Sequence, residues 1–111
     1  MPKDNLGELE HLVLLAAARL GDESYGAAVQ KTLEEDAGRR VSIATIYVTL
    51  VRLEKKGLVR SQRDDPTPVR GGKAKRVFRL TARGVTALQE ARAVLDRMWK
   101  SAARLSDFKA R

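Results

Sequence analysis

At 111 residues, with 43% hydrophobic and 32% charged side chains, the sequence describes one soluble globular domain with a modest core. A formal net charge of +8 on so small a chain points to a polyanionic partner or an anionic surface. Cysteine is absent, which excludes disulfides, thiolate metal sites and a cysteine nucleophile and fits a reducing compartment.

The charge is uneven along the chain. Residues 1–41 hold five Lys/Arg against eight Asp/Glu, net −3, and residues 42–111 hold seventeen against six, net +11. From Pro66 to Gln89 there are six basic residues and no acid. The single histidine, His11, cannot build a multi-histidine metal site, and no serine or acid beside it suggests a triad. It is expected as a partly buried helix residue. Paired carboxylates and metal clusters are also missing, so no catalytic residue, metal or cofactor is expected.

The first helix is predicted from about Leu6 to Leu20. Leu6, Leu9, Val13, Ala16, Ala17 and Leu20 form one face, and Leu12, Leu14 and Leu15 widen it. A helix this apolar is covered on more than one side, by the core and by a partner such as a second subunit. Acidic Asp4, Glu8 and Glu10 precede the apolar run where a secretory signal needs positive charge, and the run is too short to span a bilayer. The expected location is cytoplasmic, with no membrane partner.

The second helix is predicted from about Ser24 to Ala37, capped by Asp22 or Ser24, with Tyr25, Val29 and Leu33 inward. Gly26 lowers helix propensity and hints at another backbone passing close by. A short link, 38–41, follows, in which Val41 can add a small strand to the hairpin beyond.

The third helix is predicted from Ser42 to Gly57. Ser42 can cap it, Gly57 can close it, and Ile43, Ile46, Leu50 and Leu53 form an apolar stripe. The opposite face carries Ala44, Thr45, Val48, Thr49 and Arg52. Small side chains ending in arginine suit a DNA major groove, where methyls meet thymine and Arg meets guanine. An ordinary amphipathic helix is the competing reading of this stretch alone. Glycines 21, 38 and 57 end the three helices, an organisation that matches a helix-turn-helix.

After Gly57 the period becomes alternating. Leu58 to Arg63 and Lys75 to Leu80 are predicted as paired strands, with Phe78 and Leu80 inward and Val77 and Arg79 outward. The loop between them is polar, and Arg70, Lys73, Lys75 and Arg76 cluster on its far side. A basic hairpin after a groove-type helix reads as a wing that reaches phosphates or the minor groove. Its Gly71-Gly72 pair is no phosphate loop, because the Gly-Lys-Ser/Thr ending and the strand-to-helix context are missing. Thr81 caps a last helix predicted to reach about Ser106. Along it Leu88, Ala91, Leu95, Met98, Ala102 and Leu105 repeat at 3-4-3-4-3, a coiled-coil seam flanked by Val94 and Trp99. So long a seam favours a twofold dimer over packing across the first helix.

These pieces, in order, resemble the PadR family of bacterial transcriptional regulators. The resemblance runs over Leu6-Gly7-Glu8, Tyr25-Gly26, Val41-Ser42-Ile43-Ala44-Thr45-Ile46-Tyr47, Arg52-Leu53-Glu54, Lys56-Gly57-Leu58-Val59, and Arg79-Leu80-Thr81 with Gly84. The family commonly has Gly-Thr-Leu-Tyr where this chain has Ala44-Thr45-Ile46-Tyr47. The single terminal helix is similar to the compact subgroup.

The resemblance implies a mainly α (α+β) fold, a winged helix-turn-helix over residues 1–80 with a C-terminal dimerisation helix over 81–111. It implies a homodimeric repressor that binds double-stranded DNA. Ser42, Ala44, Thr45, Tyr47, Val48, Thr49 and Arg52 would meet DNA from the third helix, and Arg70, Lys73, Lys75 and Arg76 from the wing. It further implies a small aromatic or hydrophobic effector between subunits, at Trp99 with Leu95. The dimer interface is expected along Leu88, Ala91, Leu95, Met98, Trp99, Ala102 and Leu105. The alternative is a winged-helix protein-interaction module that needs no base contacts.

Overall fold

A computed structural model describes residues 5–63 and 75–102. The element order is α1 (Glu8–Leu20), a 3-10 turn (Gly21–Glu23), α2 (Gly26–Ala37), α3 (Ile43–Lys55), β1 (Val59–Arg63), β2 (Arg76–Leu80) and α4 (Ala82–Ala102). This is a mainly helical winged helix-turn-helix with one long C-terminal helix, as expected. Each of the first three helices is followed by a glycine in the left-handed region, Gly21, Gly38 and Gly57. A side chain is strained there, which is why glycine stands at all three turns.

Three helices and the hairpin share one core. Val13, Leu14 and Ala16 of α1 meet Val29 and Leu33 of α2, and Ile46, Leu50 and Leu53 of α3. Leu58, Val59, Phe78 and Ala87 close it from the other side. Burying a Leu or Ile side chain stabilises by roughly 1.5–3 kcal/mol, so this cluster is the main stabilising element. Ile43 is not part of it: at the first turn of α3 it is 40% exposed.

The strands pair antiparallel, from Val59 opposite Leu80 to Arg63 opposite Arg76. Leu80 packs inward against the core as expected, half-buried, but Val77 is fully buried rather than outward. The reason lies in the neighbour that the hairpin acquires. Tyr25 bridges to Val77, and the Phe78 amide donates to the Ser24 carbonyl at 2.9 Å. The segment before α2, not Val41, is therefore the extra strand. The Val41 carbonyl instead accepts from Gln30 Nε2 at 2.8 Å.

That pairing also revises the start of α2. Tyr25 is its N-cap residue and no side chain caps it. Asp22 is occupied by Arg79, whose Nε donates to it at 2.9 Å. Thr81 does cap α4, its Oγ1 accepting from the Gly84 amide at 3.0 Å and donating to the Gly57 carbonyl at 2.6 Å. One hydroxyl thus fixes the path from α3 through the hairpin into α4.

Candidate nucleic-acid interface

The third helix is held so that one long face stays bare. Ile46, Leu50 and Leu53 point into the core, while Ala44, Thr45, Val48 and Arg52 are exposed. Val48 stands furthest out among its large apolar residues, at 57% exposure. Ser42 caps the first turn as expected, accepting from the Thr45 amide at 3.2 Å and donating to Thr45 Oγ1 at 2.9 Å. The two hydroxyls form a small polar edge at the exposed N-terminus, the end of a recognition helix that reads base edges.

Thr49 does not belong to that surface. It is 3% exposed, and its hydroxyl donates back to the Thr45 carbonyl at 2.8 Å. The i−4 bond satisfies the hydroxyl where it meets the core, so Thr49 serves packing. Tyr47 plays both sides. Its ring lies edge-on to Phe78, with centroids 6.4 Å apart, yet it remains partly exposed. It also explains Gly26: a methyl group there would come within 2.7 Å of the Tyr47 ring. The close approach that Gly26 signals is made by a side chain, not by a backbone.

No carboxylate interrupts the bare face, because the one acid of α3 is turned aside. Glu54 Oε2 accepts from the Ser61 amide at 2.9 Å and the Ser61 hydroxyl at 2.6 Å, and Oε1 accepts from Arg76 Nη2 at 3.0 Å. The Ser61 hydroxyl and amide, with the Arg76 charge, outweigh desolvation and hold this carboxyl below its ordinary range. Arg76 also lies 5.1 Å over the Phe78 ring and is half-buried. It ties the wing to α3, and its side chain stays 41% exposed.

Lys75 is exposed, its ammonium 4.6 Å above the Tyr25 ring. Arg70 and Lys73 lie outside the described residues. A second ion pair sets the far end of α3. Lys56 Nζ donates to both oxygens of Glu10 at 3.0 Å and to the Asn5 carbonyl at 3.2 Å. Burial pushes the Glu10 carboxyl up, but the Gly7 amide, Lys56 and the charge of Arg52 prevail and lower it. Neither Glu10 nor Glu54 stands out in the sequence as a structural anchor. The only signal is an acid directly after a leucine in each helix, Leu9-Glu10 and Leu53-Glu54.

On α4 the seam residues divide. Leu88 packs on the core and Ala91 is half-buried, while Leu95, Met98, Trp99 and Ala102 are exposed. Leu95 helps line a groove of about 610 Å³ between the α1 N-terminus and α4, with Leu6, His11 and Val94. Leu105 lies outside the described residues. Among the described residues no helix is long and apolar enough to cross a membrane, and no group of three acids or histidines could hold a metal.

The model of the transcriptional regulator PadR-like family matches residues 13–90. The chain belongs to this PadR-like family. Its winged helix is accordingly a DNA-binding element, and its family is one of transcriptional regulators, not enzymes. It is 40% identical over 77 residues to transcriptional regulator Rv3488 of Mycobacterium tuberculosis, covering 69% of this chain and 67% of that protein. A PadR family regulator from Eggerthella lenta is 30% identical, with 92% of this chain and 88% of the other superposed at a TM-score of 0.68. A PadR-like regulator from Bacillus cereus superposes at a TM-score of 0.72 over 91% of this chain and 93% of the other; at 20% identity it shows the fold alone.

Proposed function

We propose that the protein is a cytoplasmic, homodimeric, sequence-specific repressor. Helix α3 enters the major groove and the hairpin serves as the wing. The observation that carries this reading is the outward face of α3: hydroxyls and small apolar groups at its N-terminal end, Arg52 further along, and Glu54 withdrawn to the hairpin. Such a face can approach base edges without bringing a carboxylate toward phosphates. Ser42, Ala44, Thr45, Tyr47, Val48 and Arg52 make the helix contacts, and Lys75 those of the wing root.

Dimerisation through the exposed half of α4 would set two such helices about 34 Å apart on one face of the duplex. The exposed side chains of Leu95, Met98 and Trp99 support that pairing. A flat aromatic or hydrophobic effector would enter between the paired helices, against Leu95 and Trp99, and shift their separation.

Gel shifts and footprints with the DNA upstream of the chain's own coding region test the reading. Binding that weakens steeply with salt is expected from counterion release. Arg52→Ala should weaken specific sites by about 1–3 kcal/mol, whereas Lys75→Ala should weaken all duplexes more evenly. No shift with any duplex would leave the winged helix as a protein-interaction module.

A further inference from the structure

We infer that Ser42 is a phosphorylation site, taken by a serine/threonine kinase with an acidic substrate groove, and that the added phosphate switches the protein off DNA. The switch rests on the DNA-binding reading above; the modification itself does not.

The run Arg39-Arg40-Val41-Ser42-Ile43 has features that the core does not use. Arg39 and Arg40 are exposed, and each pairs with an exposed carboxylate, Arg39 with Glu8 and Arg40 with Glu34 at 3.3 Å. Surface pairs of this kind contribute little, so other carboxylates can take their place. Ile43 belongs by spacing to the apolar stripe of α3, yet it stands exposed. Ser42 is exposed between them, on extended backbone at ψ 151°. Residues 38–42 lie in neither helix nor strand, and the Val41 carbonyl is held by Gln30 Nε2. Between Asp36 and Glu54 the chain carries three arginines and no acid.

Arginines two and three residues before a serine, with an apolar residue after it, form a charge pattern that a kinase can read. The two guanidinium forks meet carboxylates of the substrate groove, and the Ile43 side chain meets an apolar pocket. The Ser42 hydroxyl, which donates to Thr45 Oγ1 at 2.9 Å, turns outward for the reaction. Its Oγ attacks the γ-phosphorus of Mg-ATP on the kinase. The Oγ–P bond forms, the bond from phosphorus to the ADP oxygen breaks, and the hydroxyl proton passes to the catalytic aspartate of the kinase.

The product is a dianion at the start of a helix of 13 residues. The free amides and positive pole of that end favour it, so α3 stays formed. The same charge stands beside Ala44 and Thr45, on the face that approaches DNA. A dianion about 6 Å from one DNA phosphate costs about ten-fold in affinity even in water.

The test incubates the full chain with Mg-ATP and the catalytic subunit of a serine kinase selective for arginine at those two positions. Peptide mass mapping should find one phosphoryl group, on Ser42, absent from Ser42→Ala. Arg39→Gln with Arg40→Gln should slow its addition by about ten-fold or more, as two lost charge-assisted pairs require. The phosphorylated protein should bind duplex about ten-fold more weakly, with a melting curve no lower than that of the unmodified chain. Ser42→Asp should bind more weakly than Ser42→Asn, since both residues cap a helix and only one is charged. A folded chain left untouched at Ser42, while the kinase phosphorylates a peptide of residues 36–47, would overturn the site. Phosphate on Ser42 with unchanged affinity would overturn the switch, and so would a weakened affinity that comes with a lowered melting curve. Protein isolated from its own cells should carry the same phosphate; its absence in growing and stationary cells alike would overturn the regulatory role. Unmodified chain that binds no duplex even at low salt would remove the DNA-binding reading and the switch with it, while phosphate on Ser42 would still establish the site.

Discussion

The two halves of α4 carry one continuous seam and meet opposite surroundings. In the first half Gly84 and Ala87 are buried, and Leu88 rests on the core. A Cβ built on Gly84 would lie 2.1 Å from the Leu58 carbonyl oxygen, so helix and hairpin touch backbone to backbone. In the second half Leu95, Met98 and Trp99 are 50%, 64% and 63% exposed. The difference teaches that a heptad line says which residues share a side, not what lies across from them. Here the domain core covers the first two turns, and the distal turns stay exposed.

The comparison breaks most sharply at Gly84. Alanine ordinarily strengthens a helix relative to glycine, yet Gly84→Ala should destabilise by about 3 kcal/mol, because a backbone carbonyl cannot step aside. Chemical denaturation checks this; a neutral or stabilising result would mean that α4 is free to shift outward. Gly26→Ala makes a useful contrast, since the atoms it meets belong to the Tyr47 ring, which can rotate away.

In the distal half the expected damage is to association rather than to folding. Leu95→Asp with Met98→Asp should raise the dimer dissociation constant by about 100-fold, or about 2.7 kcal/mol. Sedimentation equilibrium would show it, and a wild type that stays monomeric at high concentration would refute the assignment of this half.

The boundary between the halves is the N-terminal end of α1, which shares a groove with α4 and is pinned by Lys56. Lys56→Ala leaves the Glu10 carboxylate buried without its cation and should cost about 2 kcal/mol. Glu10 has a lowered folded-state pKa. Its contribution to stability is therefore present above its unfolded pKa and lost as pH falls through the folded one. Glu10→Gln should flatten the acid limb of the stability curve, measured by melts across that range.

The smallest effect is expected at Trp99. Trp99→Phe should change unfolding free energy by less than about 0.5 kcal/mol, since the ring is mostly exposed. Its emission should shift to shorter wavelength on concentration if the distal half is covered by a partner. Emission independent of concentration would place the ring outside any interface.

Much of this was legible along the chain. Periods of three and four placed the helices, and the switch to alternation after Gly57 placed the hairpin, because backbone geometry imposes those periods wherever one side is buried. Glycines 21, 38 and 57 announced the turns through the left-handed backbone they adopt. Ser42 announced its cap by chemistry confined to one turn of helix.

Other outcomes depended on partners remote in sequence. Thr49 looks like any groove-facing threonine until α3 is docked, when it is buried beside Ile46, Leu50 and Leu53. Val77 is outward by alternation and buried in fact, because Tyr25, some fifty residues earlier, pairs with its edge. Arg76 counts as one more wing cation until Glu54 and Ser61 claim it. Local pattern sets what each segment can become, since it acts within a turn or a strand. Which side chains face water is settled by contacts between segments that only the folded chain brings together.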